Sequence, residues 1–336
     1  MTAVTASPAG VLGGGSLPVA DWVEVLSAEY LARYLPAGGA AVKLAVVGDG
    51  EVAERLTDGL AGAAAQHRCL HVVVDAETTK LHLIEKIFFA VSGVVDWDAL
   101  AATLVALAYD DVAFPAPPGR LSVAEVAQEH DVEPRELYRS VRRRLERMLL
   151  DDSTLVRELR RAVLRLCQSQ LGAGEVDAAE REAVIDWLRG DLRAISALRP
   201  SLIFSRIGRH NARGLLASLS RLLLRAGYGG LVLQLDCARL AEARRPPVEA
   251  RSGIYYSKAA VLDAYEVLRQ LIDGTDELRG VLVVASLPPA LVNDEARGLP
   301  SYAALHLRVA DEVRDRRRAN PFAALVRLEV RLEAVP

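Results

Sequence analysis

Apolar residues form five short continuous runs along the chain, two near its beginning and three near its end. The runs are Leu44–Gly48, Cys69–Ala76, Gly230–Asp236, Val281–Leu287 and Ala324–Leu332. Continuous aliphatic runs of this length, separated by helical patterns, are typical of parallel strands that are buried on both faces of a sheet. The pattern therefore predicts an α/β domain with a parallel sheet.

Between Thr79 and Tyr228 the apolar residues instead recur at i, i+3 and i+4, which predicts a series of amphipathic helices. The proline-rich segment Val112–Arg120 separates the early helices from the later ones and predicts a hinge. We therefore predict a flexible tail at residues 1–18, an α/β domain built from residues 19–111 and 200–336, and a helical insertion at residues 112–199.

The first strand runs into a glycine turn and a helix within the sequence VVGDGEVAERL, Val46–Leu56. This is the setting of a phosphate-binding loop, with Gly48 and Gly50 in the turn. A working loop, G-x-x-x-x-G-K-[ST], places its lysine on the β- and γ-phosphates and its hydroxyl on magnesium. Here Glu51 follows Gly50, and the carboxylates on either side of that glycine would repel phosphate. The segment is predicted to be a degenerate nucleotide site.

The strand Gly230–Asp236 has the form of the magnesium-coordinating segment of an ATPase, because it is buried and ends in an acid. Asp236 is suited to hold a magnesium-bound water, and no other metal site is predicted. In working enzymes the next residue is commonly a glutamate that polarises the attacking water, whereas this chain has Cys237, whose thiol cannot orient water in that way. The alternative is that Asp236 caps the turn that follows the strand.

Three segments resemble the BREX-system ATP-binding domain family, which are AAA+-like P-loop proteins of bacterial phage-defence loci: Trp187–Asp236, Gly253–Pro289 and Gly298–Pro321. Val74–Val91 is similar to the strand and helix that follow the family's P-loop. The resemblance implies a P-loop NTPase fold of AAA+-like type, here with a large all-helical insertion. The family's P-loop lysine and its serine or threonine have no counterpart after Gly50, so we expect no catalytic residue.

We therefore predict a non-catalytic subunit of a bacterial anti-phage defence complex. It is expected to bind no cofactor and to contact other defence proteins, including a competent ATPase relative or a helicase. Two alternatives stay open. One is an active or slow ATPase with an atypical phosphate loop, in which ATP and magnesium bind and Lys43 or Lys80 replaces the missing lysine. The other is a DNA-binding adaptor that acts through the helical insertion.

Arginines supply the candidates for DNA binding. Leu121–Leu149 resembles a helix-turn-helix with its turn at His130 and Asp131, and its second helix is rich in arginine. The alternative is an ordinary helical hairpin whose arginines pair with glutamates. A second basic stretch, Phe204–Leu216, suits nucleic acid or an acidic partner, and the alternative is a solvated helix surface. The candidates are Arg135, Arg139, Arg142, Arg143, Arg206, Arg209 and Arg213.

Arg308 is a candidate for contact with nucleotide rather than with DNA. It follows the fourth apolar run, where AAA+-like proteins often place an arginine finger or sensor that neutralises γ-phosphate charge. The alternative is an arginine that pairs with Asp311 or Glu312 on the helix surface.

Composition narrows the class of protein. The 336 residues carry a net charge of -3, so any basic binding face must be local. No apolar run reaches the roughly 18 residues of a membrane span, and the three cysteines are scattered, as in proteins of a reducing compartment. We predict a cytoplasmic protein that does not bind a membrane.

Overall fold

The computed structural model describes residues 15–245, 247, 249, 252–310 and 319–331. Contacts divide the chain into two compact units. The α/β unit consists of Met1–Leu83 and Gly229–Pro336, and the helical unit is Ile84–Tyr228. Most of the predicted tail lies outside the described residues, as do Asp311 and Glu312.

The α/β unit contains a six-stranded sheet in which every pair of neighbouring strands is parallel. The strands lie in the order β1-β6-β2-β5-β4-β3. The parallel α/β architecture is therefore confirmed, and the five predicted strands are present as β2 to β6. The bounds are β1 Ser16–Pro18, β2 Ala40–Val47, β3 Cys69–Asp75, β4 Gly230–Asp236, β5 Val281–Leu287 and β6 Leu325–Glu329.

Helices α1, α2 and α10 to α12 belong to the α/β unit, and α3 to α9 form the helical unit. A π-helical segment, Leu26–Tyr34, continues α1. The bounds are α1 Val19–Val25, α2 Gly50–Gln66, α3 Ile84–Val94, α4 Trp97–Asp111, α5 Val123–Glu129, α6 Pro134–Leu150, α7 Arg157–Gln170, α8 Ala178–Arg189, α9 Ala212–Arg225, α10 Lys258–Asp273, α11 Ala290–Asn293 and α12 Ala303–Val309.

The core of the α/β unit lies between the sheet and the helices α1 and α2. Trp22, Leu56 and Leu60 from the helices and Val284 from β5 are completely buried there. In the described part of the chain no single helix is long and apolar enough to cross a membrane, although α3 and α4 meet that criterion as a pair bent by 71°.

The structure differs from the sequence prediction at the N-terminus. The predicted tail extended to residue 18, but Ser16–Pro18 is an edge strand that pairs in parallel with β6. A strand of three residues is too short to show a hydrophobic period, so the pattern along the chain could not have revealed it.

The helical unit is also longer than the predicted insertion at residues 112–199, because α3, α4 and α9 belong to it. Their apolar faces explain the difference: α4 packs against α6 and α7, and α3 packs against α8 and α9. The proline-rich segment is not a hinge at the edge of this unit. His130 Nε2 donates to the Pro115 carbonyl at 2.9 Å, and Tyr109 Oη donates to the Leu121 carbonyl at 3.0 Å.

Candidate functional site

The carboxyl ends of the central strands meet at one edge of the sheet, which is where ligands bind in open α/β folds. The pairing of β3, β4 and β5 sets Asp75 beside Asp236 and Asp236 beside Ser286. The turn after β2 leads into α2 at the same edge, and only β5 separates β2 from β4. The two motifs predicted from the sequence therefore belong to one edge of the sheet.

The turn between β2 and α2 is closed by an acid of the chain itself. It is two residues long, because β2 ends at Val47 and α2 begins at Gly50. Asp49 Oδ1 accepts a hydrogen bond from the Val52 backbone N–H at 3.0 Å and is the N-cap of the helix. In phosphate-binding loops the first N–H groups of the helix point at the phosphate. Here a carboxylate occupies that position.

Gly48 lies in this turn and Gly50 is the first residue of α2, but the chain's own geometry requires a glycine at neither position. Neither has a positive φ, and a Cβ atom at either position would meet no protein atom within 4 Å. Asp49 alone separates the two glycines, whereas four residues separate them in a working phosphate-binding loop. The turn is therefore too short to wrap around a phosphate.

Replacing Asp49 by alanine removes the N-cap, and we expect the free energy of unfolding to fall by about 1 kcal/mol. The matched control is Glu54→Ala, because Glu54 is exposed on the same helix and caps nothing. Urea unfolding of the three proteins measures the difference. Equal stability of the two variants would contradict the capping role of Asp49.

The two lysines predicted as replacements do not reach this turn. Lys43 is buried within β2, where its Nζ donates to the carbonyls of Phe322 at 2.6 Å and Ala323 at 3.2 Å. It also lies 5.3 Å from the centre of the Tyr30 ring. Lys80 follows β3, which is three strands from β2, or about 14 Å at the usual strand spacing. Neither ammonium group is placed to bind phosphate at the start of α2.

Asp236 caps the turn that follows β4, which is the alternative to magnesium binding that the sequence left open. Its Oδ1 accepts a hydrogen bond from the Ala238 backbone N–H at 2.9 Å. Burial raises the pKa of Asp236, and the negative charge of Asp75 raises it further. One carboxylate oxygen is thus already bound within the chain, and the environment disfavours the ionised form that magnesium requires.

Sequence reasoning missed Asp75, which stands level with Asp236 on the neighbouring strand. Its Oδ1 accepts a hydrogen bond from the Glu77 backbone N–H at 2.7 Å, so it also caps the turn after its strand. The signal was available, because both acids end predicted strands, but the order of the strands was not.

Cys237, the next residue after Asp236, is buried, and burial raises the pKa of its thiol. Within the described residues, no group of three or more histidine, cysteine, aspartate or glutamate side chains could hold a metal ion.

Arg308 lies on α12 and is bound to α10. Its Nη2 donates to Asp273 Oδ2 at 2.8 Å, its Nε contacts the other oxygen of the same carboxylate, and its Nη1 donates to the Ala304 carbonyl at 2.7 Å. Arg308 lowers the pKa of Asp273. The arginine therefore pairs with an acid of its own unit, and that acid is neither of the two predicted from the sequence.

The segment predicted as a helix-turn-helix consists of two helices, α5 and α6, joined by a short turn. Helices α5 and α6 pack together, and Asp131 in the turn between them has the left-handed φ of +53° for which glycine is usually chosen. The Val132 N–H donates to the Ala127 carbonyl at 3.0 Å and closes the turn. The buried face of α6 consists of Leu137, Val141, Leu145 and Leu149.

Four of the seven predicted DNA-binding arginines lie on α6, and the other three lie before α9 or in its first turn. Arg135, Arg139 and Arg143 are exposed on α6, whereas Arg142 on the same helix pairs with Glu146 at 2.9 Å and with Glu175 at 3.3 Å. Among the other three, Arg206 donates to the backbone carbonyls of Leu192 and Arg193, and Arg209 and Arg213 also have polar or ionic interactions.

Comparison with known proteins identifies a family. A family model described as BREX system ATP-binding protein BrxC/D matches residues 121–333. Neither a curated protein nor a solved structure matches the chain significantly. The matched residues include α5 to α12 and β4 to β6, but they begin after β2, α2 and β3.

Proposed function

Because the chain belongs to the BREX system ATP-binding protein BrxC/D family, we propose that it is a component of a phage-defence system that does not turn over nucleotide. The single observation that carries the proposal is the hydrogen bond from the Val52 N–H to Asp49. The helix start that would receive a phosphate is closed by the chain's own negative charge.

The residues at the carboxyl edge of the sheet do not fit ATP and magnesium. No lysine is placed at the start of α2, since Lys43 is bound to two backbone carbonyls inside the unit. Asp236 shares its edge with Asp75, and a carboxylate oxygen of each is engaged in a turn. A phosphate at this edge would therefore meet the carboxylates of Asp49, Asp75 and Asp236.

The arrangement of the strands supports a P-loop fold of AAA+-like type as the framework. β2 lies inside the sheet between β5 and β6, and β4, which ends in Asp236, is the next strand after β5. This order brings a strand-turn-helix and an acid-ended strand to the same edge. The fold is retained in this proposal, and the loop that binds phosphate is lost.

A protein of this kind acts through its surfaces. We expect it to contact other defence proteins, including a competent ATPase relative or a helicase, and to contact DNA through its helical unit. Stable protein–protein interfaces bury roughly 1,200–2,000 Å² of surface in total. A domain that keeps its fold can provide a surface of that size even when it has no catalytic activity.

Calorimetric titration of the purified chain with ATP and magnesium, together with a phosphate-release assay, tests the proposal. We expect neither binding nor turnover at millimolar ATP, and the same result for Asp236→Ala. Tight binding that Asp236→Ala abolishes would instead establish an active or slow ATPase with an atypical phosphate loop.

A further inference from the structure

Four arginines form a continuous ridge along the exposed face of α6. They are Arg135, Arg139, Arg143 and Arg147, each four residues after the last. At 3.6 residues per turn this spacing keeps all four within about one third of the helix circumference, over a length of about 18 Å. In the part of the chain that the structure describes, none of the four has a hydrogen bond or an ion pair. We refer to them as the α6 ridge.

Not every arginine of α6 lacks a partner, so the unpartnered ridge does not follow merely from the number of arginines in the helix. Arg142 pairs with Glu146 and Glu175, and Arg144 pairs with Asp111 at 2.6 Å. The charges of Arg142 and Arg144 are thus balanced by acids of the same chain, while the ridge arginines are exposed and have no such partner among the described residues. The chain as a whole has a net charge of -3, so the ridge is a local concentration of positive charge.

The opposite face of α6 fixes the direction in which the ridge points. Leu137, Val141, Leu145 and Leu149 repeat with the same spacing of four residues and are buried. A rotation of the helix that hid the arginines would expose these leucines and the valine, at a cost of several kcal/mol. The ridge is therefore presented to solvent by the packing of the helical unit.

We propose that the α6 ridge binds the phosphate backbone of duplex DNA. Arginine is suited to phosphate because its planar guanidinium offers two parallel N–H donors. A ridge of about 18 Å is longer than the roughly 12 Å width of the major groove, so its ends reach the phosphates that border the groove. This inference rests on the DNA contact in the proposed function and is independent of whether nucleotide binds.

The contact is with the backbone rather than with base edges. Helix-turn-helix proteins read bases with the first residues of the second helix. In α6 these first residues include Glu136, preceded by the cap residue Glu133, and both acids are exposed where the groove would be read. We therefore infer binding that is independent of sequence and strongly dependent on salt.

The test is the fluorescence anisotropy of the full chain with two unrelated fluorescein-labelled duplexes, each of about 20 base pairs, over a range of potassium chloride. With four phosphate contacts we expect both duplexes to give a slope of log K against log salt of about -3.6. Arg139→Ala with Arg143→Ala should reduce that slope by about 2 and weaken binding by roughly tenfold to a hundredfold at about 0.1 M salt. Circular dichroism checks that the variant is folded.

The matched control is Arg33→Ala with Arg55→Ala, which removes the same charge from two exposed arginines that pair with Glu29 and Glu51 in the α/β unit. We expect the control to bind like the wild type. The proposal is overturned if the wild type does not bind duplex, if both double variants lose affinity equally, or if only one of the duplexes binds. Binding of phosphatidylserine vesicles without binding of duplex would also overturn it. An unexpected result with ATP would leave this outcome unchanged, so failures of the two proposals can be told apart.

Discussion

Gly229→Ala is expected to lower the free energy of unfolding by about 3 kcal/mol or more, and to disrupt the pairing of β3 with β4. A Cβ atom on this residue would lie 2.1 Å from the backbone carbonyl oxygen of His67. The clash is with backbone, which cannot move away as a flexible side chain can. The Gly229 N–H also donates to the Arg68 carbonyl at 3.0 Å, so the two segments are held together at the point of contact.

Gly62→Ala is the control for this substitution. Gly62 lies within α2, has no positive φ, and has open space where a Cβ atom would be placed. Alanine is favoured over glycine inside a helix, so we expect this variant to be more stable by roughly 0.5–1 kcal/mol. Urea unfolding curves of the two variants should therefore move in opposite directions. A Gly229→Ala protein as stable as the wild type would contradict the close approach of the two segments.

Lys43→Met is expected to lower the free energy of unfolding by about 2–3 kcal/mol. The substitution keeps the length and the apolar stem of the side chain but removes the ammonium group. The carbonyls of Phe322 and Ala323 then lose a charged donor in a partly buried place, and the contact with the Tyr30 ring is lost as well. Part of this cost is offset because a buried charge is no longer desolvated.

The matched control is Lys80→Met, which removes the same charge from an exposed side chain. We expect its stability to lie within about 0.5 kcal/mol of the wild type. The pair also separates a structural lysine from a catalytic one. If Lys43 served a phosphate, the Lys43→Met variant would lose nucleotide binding and keep its stability, which is the opposite of what we expect.

Most of the sheet could be predicted from the sequence because strands buried on both faces appear as continuous apolar runs. β5 is buried along its whole length, β4 along all but its last residue, and β2 over its second half. β3 and β6 bury only some of their residues, and β1 is only three residues long and pairs along a single edge. The bounds of the helical unit could not be predicted from the sequence. The apolar residues of α3, α4 and α9 have a helical period, and that period is the same whether a helix packs in the α/β unit or in the helical unit. Only their packing partners decide the boundary.

The sequence predicts which residue types the candidate site contains, but not the hydrogen bonds that those residues make. The absence of a lysine after Gly50 is evident from the sequence, but the hydrogen bond from Val52 to Asp49 depends on where the helix begins. The sequence distinguishes Arg142 from Arg143 in part, because Glu146 stands four residues after Arg142, whereas Arg147 stands four residues after Arg143. It does not show the second partner of Arg142, which is Glu175, because the tertiary fold brings that residue to α6.

The most direct test observes the start of α2 itself during a titration with ATP and magnesium. The backbone amide resonances of Gly50 and Val52 report any anion that approaches the first turn of the helix. We expect no shift of either resonance up to millimolar ATP, because the carboxylate of Asp49 holds the Val52 N–H. Saturable shifts of both resonances in the wild-type protein would show that a phosphate displaces Asp49. Such shifts would contradict the proposal that this nucleotide site is closed.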